Sequence, residues 1–293
     1  MKVGICLPHY GKAMEAGRMR EFAERVETLG FDSIWVTDHV IVPKDLNIVY
    51  KDSMLDPLAT LAYLAGVTRR VSLGTSVLIL PYRNPIIVAK ELASVDAVSG
   101  GRVIFGAAAG WMEGEFQALN ADFEHRGDVT DECLKVIREL WSNPEPELNT
   151  EHFHLSGLVF SPRPVQRPHP PIWVGGRSRR AARRAVELGD GWHPNIMPLE
   201  EMKPAIDYMR RLSQRRNRSA PPVLSARAPV DMDGRPGQTR ALLYGGSQQI
   251  AETIKQYEAL GLSHLAVNFS DMPMDQALEQ LERFGTEVLP AVR

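Results

Sequence analysis

Short apolar runs alternate along the chain with segments in which apolar residues recur every three or four positions. The first run, VGICL, comes before a segment whose apolar positions, from Met19 to Leu29, follow the helical period and stop at Gly30. The same alternation continues to the end of the chain. It predicts strands at residues 3–7, 33–39, 71–80, 102–110, 171–176, 191–195, 222–230 and 264–270.

A helical segment follows each predicted strand, at residues up to Gly30, 57–66, 85–100, 128–141, 178–189, 199–216, 247–261 and from the last strand to about Leu289. Strands that are apolar on both faces are typical of a parallel sheet covered by helices. Eight such units predict an α/β fold, a closed (β/α)8 TIM barrel. An open Rossmann-type sheet is the alternative, but it would need G-x-G-x-x-G after an early strand, where this chain has PHYGKA.

The regular alternation is interrupted after the fourth strand. Residues 112–170 hold the helix at 128–141 and then NTEHFHLSGLVFSPRPVQRPHPP, which predicts a hairpin and a proline-rich loop. We expect one domain over residues 1–293, with residues 112–170 as an insertion over one end of the barrel. Together with the loop at 231–246, the insertion would roof a substrate pocket, because loops are where specificity varies on a shared scaffold.

Composition and charge favour a small-molecule partner. Lys and Arg total 34 against 36 Asp and Glu, for a formal charge of -2, so no overall field attracts nucleic acid or an anionic membrane. No apolar run approaches the ~18 residues that span a bilayer, and the first run is too short for a signal sequence. Cys6 and Cys133 lie far apart without C-x-x-C spacing, which fits a reducing cytoplasm.

Candidate chemistry lies at the carboxyl ends of the predicted strands, where barrel active sites are built. A histidine such as His39 can donate or accept a proton near neutral pH, with Asp38 orienting it. A capping aspartate beside a surface histidine is the alternative. His193 either faces the site or is satisfied by its own loop. The strand ends together carry His9, Asp38, His39, Ser76, Gly110, Trp111, Gly175, Gly176, His193 and Asn268.

The end of the fifth strand suits a phosphate. Gly175 and Gly176 would let the backbone approach a ligand closely, and Ser178 can cap the helix that follows. The free amides at the start of that helix form an anion site. Arg177 lies in the loop itself, whereas a solvated face is expected for most of the arginines along the helix, 179, 180, 183 and 184.

The third strand contains small residues where bulky ones are usual. Gly, Thr and Ser at 74–76 would let a flat ring contact the strand backbone, although a strand narrowed to fit its neighbours is the alternative. Trp35 and Trp173 lie within strands and are expected in the core. No metal site is expected, because His152 and His154 share a predicted hairpin strand without carboxylate neighbours.

Several of these segments resemble the bacterial luciferase-like (LLM class) flavin and deazaflavin oxidoreductases. The resemblance rests on TDH, GTSVLILPYRNPIIVAKELASVDAVSGGRVIFGAAAGW and PIWVGG with AARRAVELGDGWHP, in the family's order over nearly the whole chain. It implies a non-prolyl cis peptide at Ser76–Val77 that supports the cofactor ring, and it implies a homodimer. We expect cofactor contacts at Asp38, Ser76, Val77, Gly110, Gly175, Gly176, Arg177 and Ser178.

Within that family, TDH followed by TSV is more similar to members that use the deazaflavin coenzyme F420 than to those that use FMN. The resemblance implies an F420-dependent oxidoreductase that transfers a hydride to or from a small organic substrate, with His39 and Asp38 as its catalytic residues. A reduced-FMN monooxygenase on the same barrel is the alternative. A non-catalytic flavin-binding protein fits less well, because it would need neither ionisable residue.

The chain departs from the family at one position after the fourth strand. F420-dependent sugar-phosphate dehydrogenases of the family place a catalytic glutamate there, whereas this chain has Trp111 in AAGWMEGE. The substitution argues against a sugar-phosphate substrate. Glu113 and Glu115 are the acids nearby that could reach inward instead.

Overall fold

The structure of the chain is a computed structural model that describes residues 1–46, 53–239, 241–269 and 272–293. Its strands, in chain order, are β1 (Lys2–Cys6), β2 (Ser33–Val36), β3 (Ser72–Thr75), β4 (Leu78–Ile79), β5 (Val103–Ala108), β6 (Leu148–Asn149), β7 (His154–Leu155), β8 (Ile172–Val174), β9 (Gly191–Trp192), β10 (Val223–Asp231), β11 (Leu243–Tyr244) and β12 (His264–Phe269).

These strands form a closed parallel barrel. The hydrogen-bonded order runs β10, β12, β1, β2, β3, β5, β8, β9, and β9 pairs again with β10. β4 continues the line of β3 and pairs with β5, and β11 adds to the outer end of β10. This topology confirms the predicted (β/α)8 TIM barrel.

Helices surround the barrel: α1 (Met19–Thr28), α2 (Pro57–Val67), α3 (Pro85–Ser99), α4 (Glu113–Ala118), α5 (Arg126–Ser142), α6 (Arg179–Leu188), α7 (Leu199–Arg215), α8 (Ser247–Ala259) and α9 (Met274–Arg283). Local capping residues set the ends of several of these helices. Asp56 caps α2 and Asn84 caps α3, each directly before a proline in the first turn. Gly100, at φ +72°, ends α3 in the left-handed conformation that glycine adopts without strain. In the described ranges, no helix combines the length and apolar character needed to cross a bilayer.

Several predicted boundaries were wrong. The strands predicted at 33–39, 102–110 and 191–195 end earlier, at Val36, Ala108 and Trp192. At these points the chain leaves the sheet and enters the loops at the barrel mouth, where Asp38, Gly110 and His193 lie. The last predicted strand ended at Ser270, which lies outside the described residues. The short helix α4 was not predicted.

The segment between β5 and β8 holds α4, α5 and the antiparallel hairpin of β6 and β7. The hairpin and the helix near 128–141 were predicted. The division of the chain, one domain over residues 1–293 with an insertion at 112–170, stays a prediction.

Two tryptophans fill the barrel interior. The rings of Trp35 and Trp173 stack with centroids 5.4 Å apart, and both residues are buried as predicted. Gly74 lies directly beneath the first indole, because a Cβ at this position would lie 2.2 Å from Cε3 of Trp35. Gly191 leaves room for Trp173 in the same way, with a Cβ only 2.5 Å from the ring. Of the two explanations offered for glycine at this position, the structure therefore supports the second for Gly74: the strand is narrow there to make room for a neighbouring side chain.

The barrel wall is interrupted between β3 and β4. The hydroxyl of Thr75 donates to the carbonyl of Gly106 (2.6 Å) and accepts from the Gly106 amide (2.9 Å). A Cβ on Gly106 would lie 1.9 Å from the Thr75 carbonyl oxygen, so only glycine fits this contact. The next peptide bond, Ser76–Val77, is cis, as the family resemblance implied.

We predict that Gly74→Ala lowers the free energy of unfolding by about 1–3 kcal/mol, because its methyl group would overlap the Trp35 ring. Gly66→Ala is the matched control: Gly66 lies on α2 with open space around its Cα, and alanine there should raise stability by roughly 0.5–1 kcal/mol. Urea titrations of the three proteins measure both effects. Equal stability of Gly74→Ala and the unsubstituted protein would contradict this account of the interior.

Candidate active site

One cavity of about 600 Å³ opens at the carboxyl ends of the barrel strands. This volume lies within the usual range of small-molecule and cofactor sites, roughly 300–1,000 Å³. The structure brings together at its wall every residue that the sequence analysis assigned to catalysis or to cofactor contacts: Asp38, His39, Ser76, Val77, Gly110, Gly175, Gly176, Arg177 and Ser178. Their assignment to catalysis or to cofactor binding stays a prediction.

His39 is held at the cavity wall by a carboxylate from helix α4. Its Nδ1–H donates to Oε2 of Glu115 (2.8 Å), and the two side chains are buried, with 6% and 0% of their surface exposed. A histidine whose Nδ1 binds a carboxylate has its ring orientation and tautomer fixed, so Nε2 carries the lone pair that can take a proton. Of the two acids considered, Glu115 reaches inward, whereas Glu113 is exposed and bonds Gln117.

Glu115 also accepts hydrogen bonds from three other residues. Its Oε1 accepts from the amide of Val40 (2.5 Å) and from the amide of Ile41 (3.2 Å), and its Oε2 accepts from the hydroxyl of Tyr82 (3.0 Å). Burial alone would raise the pKa of Glu115, but the donors, His39 first, outweigh it and hold the pKa below its ordinary 4.5. The carboxylate is therefore ionised at neutral pH and can stabilise a protonated His39.

Asp38 turns away from His39 toward an arginine. Its Oδ2 accepts from Nη1 of Arg83 (2.6 Å) and from the amide of Ile79 (2.8 Å), and its Oδ1 accepts from Nη2 of Arg83 (2.9 Å). Burial raises the pKa of Asp38, and the Arg83 charge opposes that rise. The bidentate pair ties the end of β2 to the segment after β4, so the observed contacts of Asp38 position the backbone around His39.

The floor of the cavity is a hydrogen-bonded histidine. Ring nitrogens of His193 lie 2.9 Å from the Ser76 hydroxyl and 2.7 Å from the Ser225 hydroxyl, and its ring stacks on Trp35 at 4.7 Å. Burial lowers the pKa of His193 to about 3, so the ring is neutral. A neutral imidazole has one donor and one acceptor, so one serine donates to it and the other accepts from it. His193 thus faces the cavity, and both of its ring nitrogens have hydrogen-bond partners in the protein.

The start of α6 forms the far end of the cavity. Gly176, at φ +104°, turns the chain there, and the Ser178 hydroxyl caps the helix by accepting from the Ala181 amide (3.1 Å). The amides of the first helical turn and the helix dipole favour an anion at this point. The Arg177 side chain bends back to the carbonyls of Asn195 and Ile196 and fixes the loop.

Most of the arginines of α6 lie on a solvated face, as predicted: Arg179, Arg180 and Arg183 are exposed. Arg184 is the exception, because it is 5% exposed and binds Asp131 of α5 and the Gly127 carbonyl. Arg180 is exposed but pairs with Asp128 (2.8 Å). These pairs hold the start of α5 against the start of α6, which places Glu124, Arg126 and Gly127 on the cavity wall.

Other predicted features lie elsewhere. His9 is buried outside the cavity, between the carbonyls of Leu7 and Thr37, and Asn268 accepts from Tyr10. The described residues of the loop 231–246 contribute no cavity lining, and Arg240 of that loop lies outside the described residues. This corrects the expectation that the loop roofs the pocket.

The two histidines of the hairpin face different partners. His152 lies in the turn and bonds Glu132, whereas His154 bonds Asn149. Over the ranges that the structure describes, no three side chains of the metal-ligating types gather closely enough to hold an ion.

Comparisons with known proteins place the fold in one family. The sequence profile of the family described as luciferase-like monooxygenase matches residues 1–236. The chain is 28% identical to the FMNH(2)-dependent dimethylsulfone monooxygenase of Pseudomonas putida over 150 residues, which is 50% of this chain and 41% of that one. It is 31% identical to the F420-dependent glucose-6-phosphate dehydrogenase of Amycolatopsis mediterranei over 176 residues, which is 59% of this chain and 51% of that one.

These two matches span about half of each named relative. A solved structure, that of monooxygenase RslO1 from Streptomyces bottropensis, superposes on the whole chain with a TM-score of 0.84 at 22% identity and is itself covered in full. Likeness at this identity concerns the fold. The named relatives include both F420-dependent and reduced-FMN-dependent oxidoreductases, so both cofactors are compatible with the family.

We predict that Glu115→Gln lowers the free energy of unfolding at pH 7 by about 1–3 kcal/mol, because buried donors lose a charged acceptor. The pKa of Glu115 is lower in the folded chain than its ordinary 4.5, so its stabilisation is complete above that pH and disappears as pH falls through the folded pKa. The difference between the two proteins should therefore be largest at neutral pH and narrow as the pH falls below 4.5 and through the folded pKa.

Denaturant titrations at several pH values measure this difference. Glu113→Gln, an exposed change on the same helix, serves as the control and should leave stability unchanged throughout. If the free energy of unfolding of Glu115→Gln stays below that of the unsubstituted protein by the same amount from neutral to acid pH, the charge of the carboxylate is not what stabilises the site.

Proposed function

The chain belongs to the luciferase-like monooxygenase family, and we propose that it is an F420-dependent oxidoreductase that transfers a hydride between the deazaflavin and a small organic substrate. The observation that carries this proposal is the buried pair of His39 and Glu115 at the cavity wall. Moving a hydride to or from a carbon–oxygen bond requires a proton to move at the oxygen, and a histidine fixed by a carboxylate is suited to that task.

The residues present fit a ring that carries a phosphate. Small residues line the wall formed by β3, β4, β5 and β8, namely Ser76, Val77, Ala108 and Gly175, which we call the ring wall. A flat tricyclic ring would lie against it, and the phosphate would reach the start of α6 at Gly176 and Ser178. When bound, the deazaflavin supplies a carbon that accepts or releases a hydride and reacts poorly with oxygen.

The chain's own residues then have separate tasks. His39 takes or gives the proton at Nε2, and the charge of Glu115 stabilises the protonated ring. The pair of Asp38 and Arg83 holds the end of β2 in place. His193 stays neutral and orients the hydroxyl of Ser76 in the ring wall.

A reduced-FMN monooxygenase is the second candidate. It is favoured by the match to the FMNH(2)-dependent dimethylsulfone monooxygenase. In that case, the same cavity would serve oxygen chemistry. The cytoplasmic location and the homodimer that the sequence suggested stay predictions.

Parallel fluorescence titrations with F420 and FMN test the choice of cofactor. We expect F420 to bind with micromolar or higher affinity and FMN to bind at least about tenfold more weakly. Gly176→Val should weaken F420 binding, because the new side chain closes the approach to the α6 start. Gly157→Val, another positive-φ glycine but in open space on the hairpin, controls for backbone strain. Binding of FMN alone would overturn the F420 assignment in favour of the second candidate.

The role of His39 is tested by His39→Asn. We expect F420 affinity to change by less than about threefold, whereas turnover with any alcohol or ketone found to react with the bound cofactor should fall by about 10²–10⁴-fold, the usual contribution of a positioned acid or base. His152→Asn, at the exposed turn of the hairpin, should leave both quantities unchanged. Full turnover in His39→Asn would remove this residue from the mechanism.

A further inference from the structure

Three large apolar side chains are exposed beside His39. Val40 and Ile41, which follow it directly in the chain, are each 52% exposed, and Trp111 is 58% exposed. Trp111 lines the cavity, and its indole lies edge to face against the His39 ring, with the ring centroids 6.1 Å apart. We call Val40, Ile41 and Trp111 the apolar lip. Exposed large side chains gathered at a site entrance are typical of a surface that contacts an apolar ligand.

The backbone that carries the apolar lip is fixed, although the side chains are exposed. Oε1 of Glu115 accepts from the amides of Val40 (2.5 Å) and Ile41 (3.2 Å). On the same helix, Gly114 lies against the ring of Pro43, because a Cβ at this position would lie 2.8 Å from the proline Cγ. The two parts of the apolar lip are therefore joined through α4, and a ligand does not have to order them when it binds.

The segment that carries Trp111 is packed on both sides. Gly110, at φ +79°, turns the chain directly before it, and a Cβ there would lie 2.8 Å from the Phe116 ring. Met112, directly after it, is buried, and Phe116 packs edge to face on Tyr82 at 4.7 Å. A packed backbone thus holds the indole in an exposed position, so a ligand that covers the indole gains the free energy of removing its apolar surface from water.

The exposed indole favours an aromatic ligand. More than half of its surface is open, so at least one face of the ring can be stacked upon. Two aromatic rings in contact attract each other by more than their buried area accounts for, and their centroids lie roughly 4.5–7 Å apart. An aromatic ring on the indole of Trp111 would therefore lie close to His39, at the entrance of a cavity of about 600 Å³.

We propose that the apolar lip binds an aromatic ring of the substrate, and that the substrate is a small alcohol or carbonyl compound whose reacting carbon lies one or two bonds from that ring. The short distance between Trp111 and His39 sets this spacing. Trp111 is thus a residue that determines specificity. The reaction at the carbon–oxygen bond rests on the proposed function, whereas binding of the aromatic ring rests on the apolar lip alone.

Fluorine NMR of the full chain labelled with 5-fluorotryptophan tests the binding of an aromatic ring without any cofactor. The chain has five tryptophans, and the signal of Trp111 is the one that Trp111→Leu removes. The other tryptophans are at most 3% exposed and serve as internal references: Trp35, Trp141, Trp173 and Trp192.

Benzyl alcohol and cyclohexylmethanol are the two probes. They have the same number of carbon atoms, but only benzyl alcohol is aromatic, and cyclohexylmethanol is the more apolar of the two. Benzyl alcohol should shift the Trp111 signal to saturation and bind at least about twofold more tightly than cyclohexylmethanol, because of the aromatic pair. Contact with apolar surface alone would give the opposite order.

Two serine variants locate the site. Ile41→Ser removes part of the apolar lip and should weaken benzyl alcohol binding about threefold or more. Ile87→Ser, a similarly exposed change on α3 that leaves the lip intact, should bind benzyl alcohol as the unsubstituted protein does.

Three results would overturn the proposal: a Trp111 signal that benzyl alcohol does not shift to saturation, tighter binding of cyclohexylmethanol, or equal affinity of the two serine variants for benzyl alcohol. A Trp111 signal that moves with protein concentration and not with benzyl alcohol would assign the apolar lip to a second copy of the chain, and it would also overturn the proposal. Since no cofactor is present in these titrations, failure of F420 to bind would contradict the proposed function and leave the result at the apolar lip readable.

Discussion

The cavity depends on the way the barrel interior beneath it is filled. The indoles of Trp35 and Trp173 stack at 5.4 Å and occupy space that the neighbouring strands leave open by having glycine at Gly74 and Gly191. A TIM barrel is a packed core and needs such layers. On top of the first indole lies the ring of His193, which bonds Ser76 and so forms the cavity floor. The packing of the two indoles in the barrel interior therefore determines where the cavity floor lies.

The proposed catalytic pair joins the barrel to the segment after β5. His39 comes from the end of β2, and its carboxylate partner Glu115 comes from α4, 76 positions later in the chain. Glu115 also accepts from two amides directly after His39, so it fixes the backbone and the ring together. Helix α4 therefore does more than cover the cavity, because its Glu115 orients the proposed base. In physical terms, the proposed proton transfer is pre-organised by a buried charge whose own pKa is held low by its donors.

The sequence predicted the barrel and the cavity wall, because both follow from local patterns: apolar runs, helix caps, and glycines at strand ends. It could not choose between Glu113 and Glu115, since two positions on one short helix point to different sides and only tertiary packing decides which is buried. It could not tell which arginine of α6 is buried, because the partner of Arg184, Asp131, belongs to another helix. Arg227 of β10 lines the cavity but was not predicted, because no sequence motif shows which way a single cation within a strand points.

The central claim is that the ring wall and the start of α6 hold one deazaflavin next to His39. A crystal structure of the protein grown with F420 tests this claim most directly. The account predicts the ring against Ser76 and Val77, its phosphate at Gly176 and Ser178, and its reactive carbon on the side that faces His39. Density for the cofactor at any other place, or a phosphate bound at Arg227 in place of the α6 start, would contradict it.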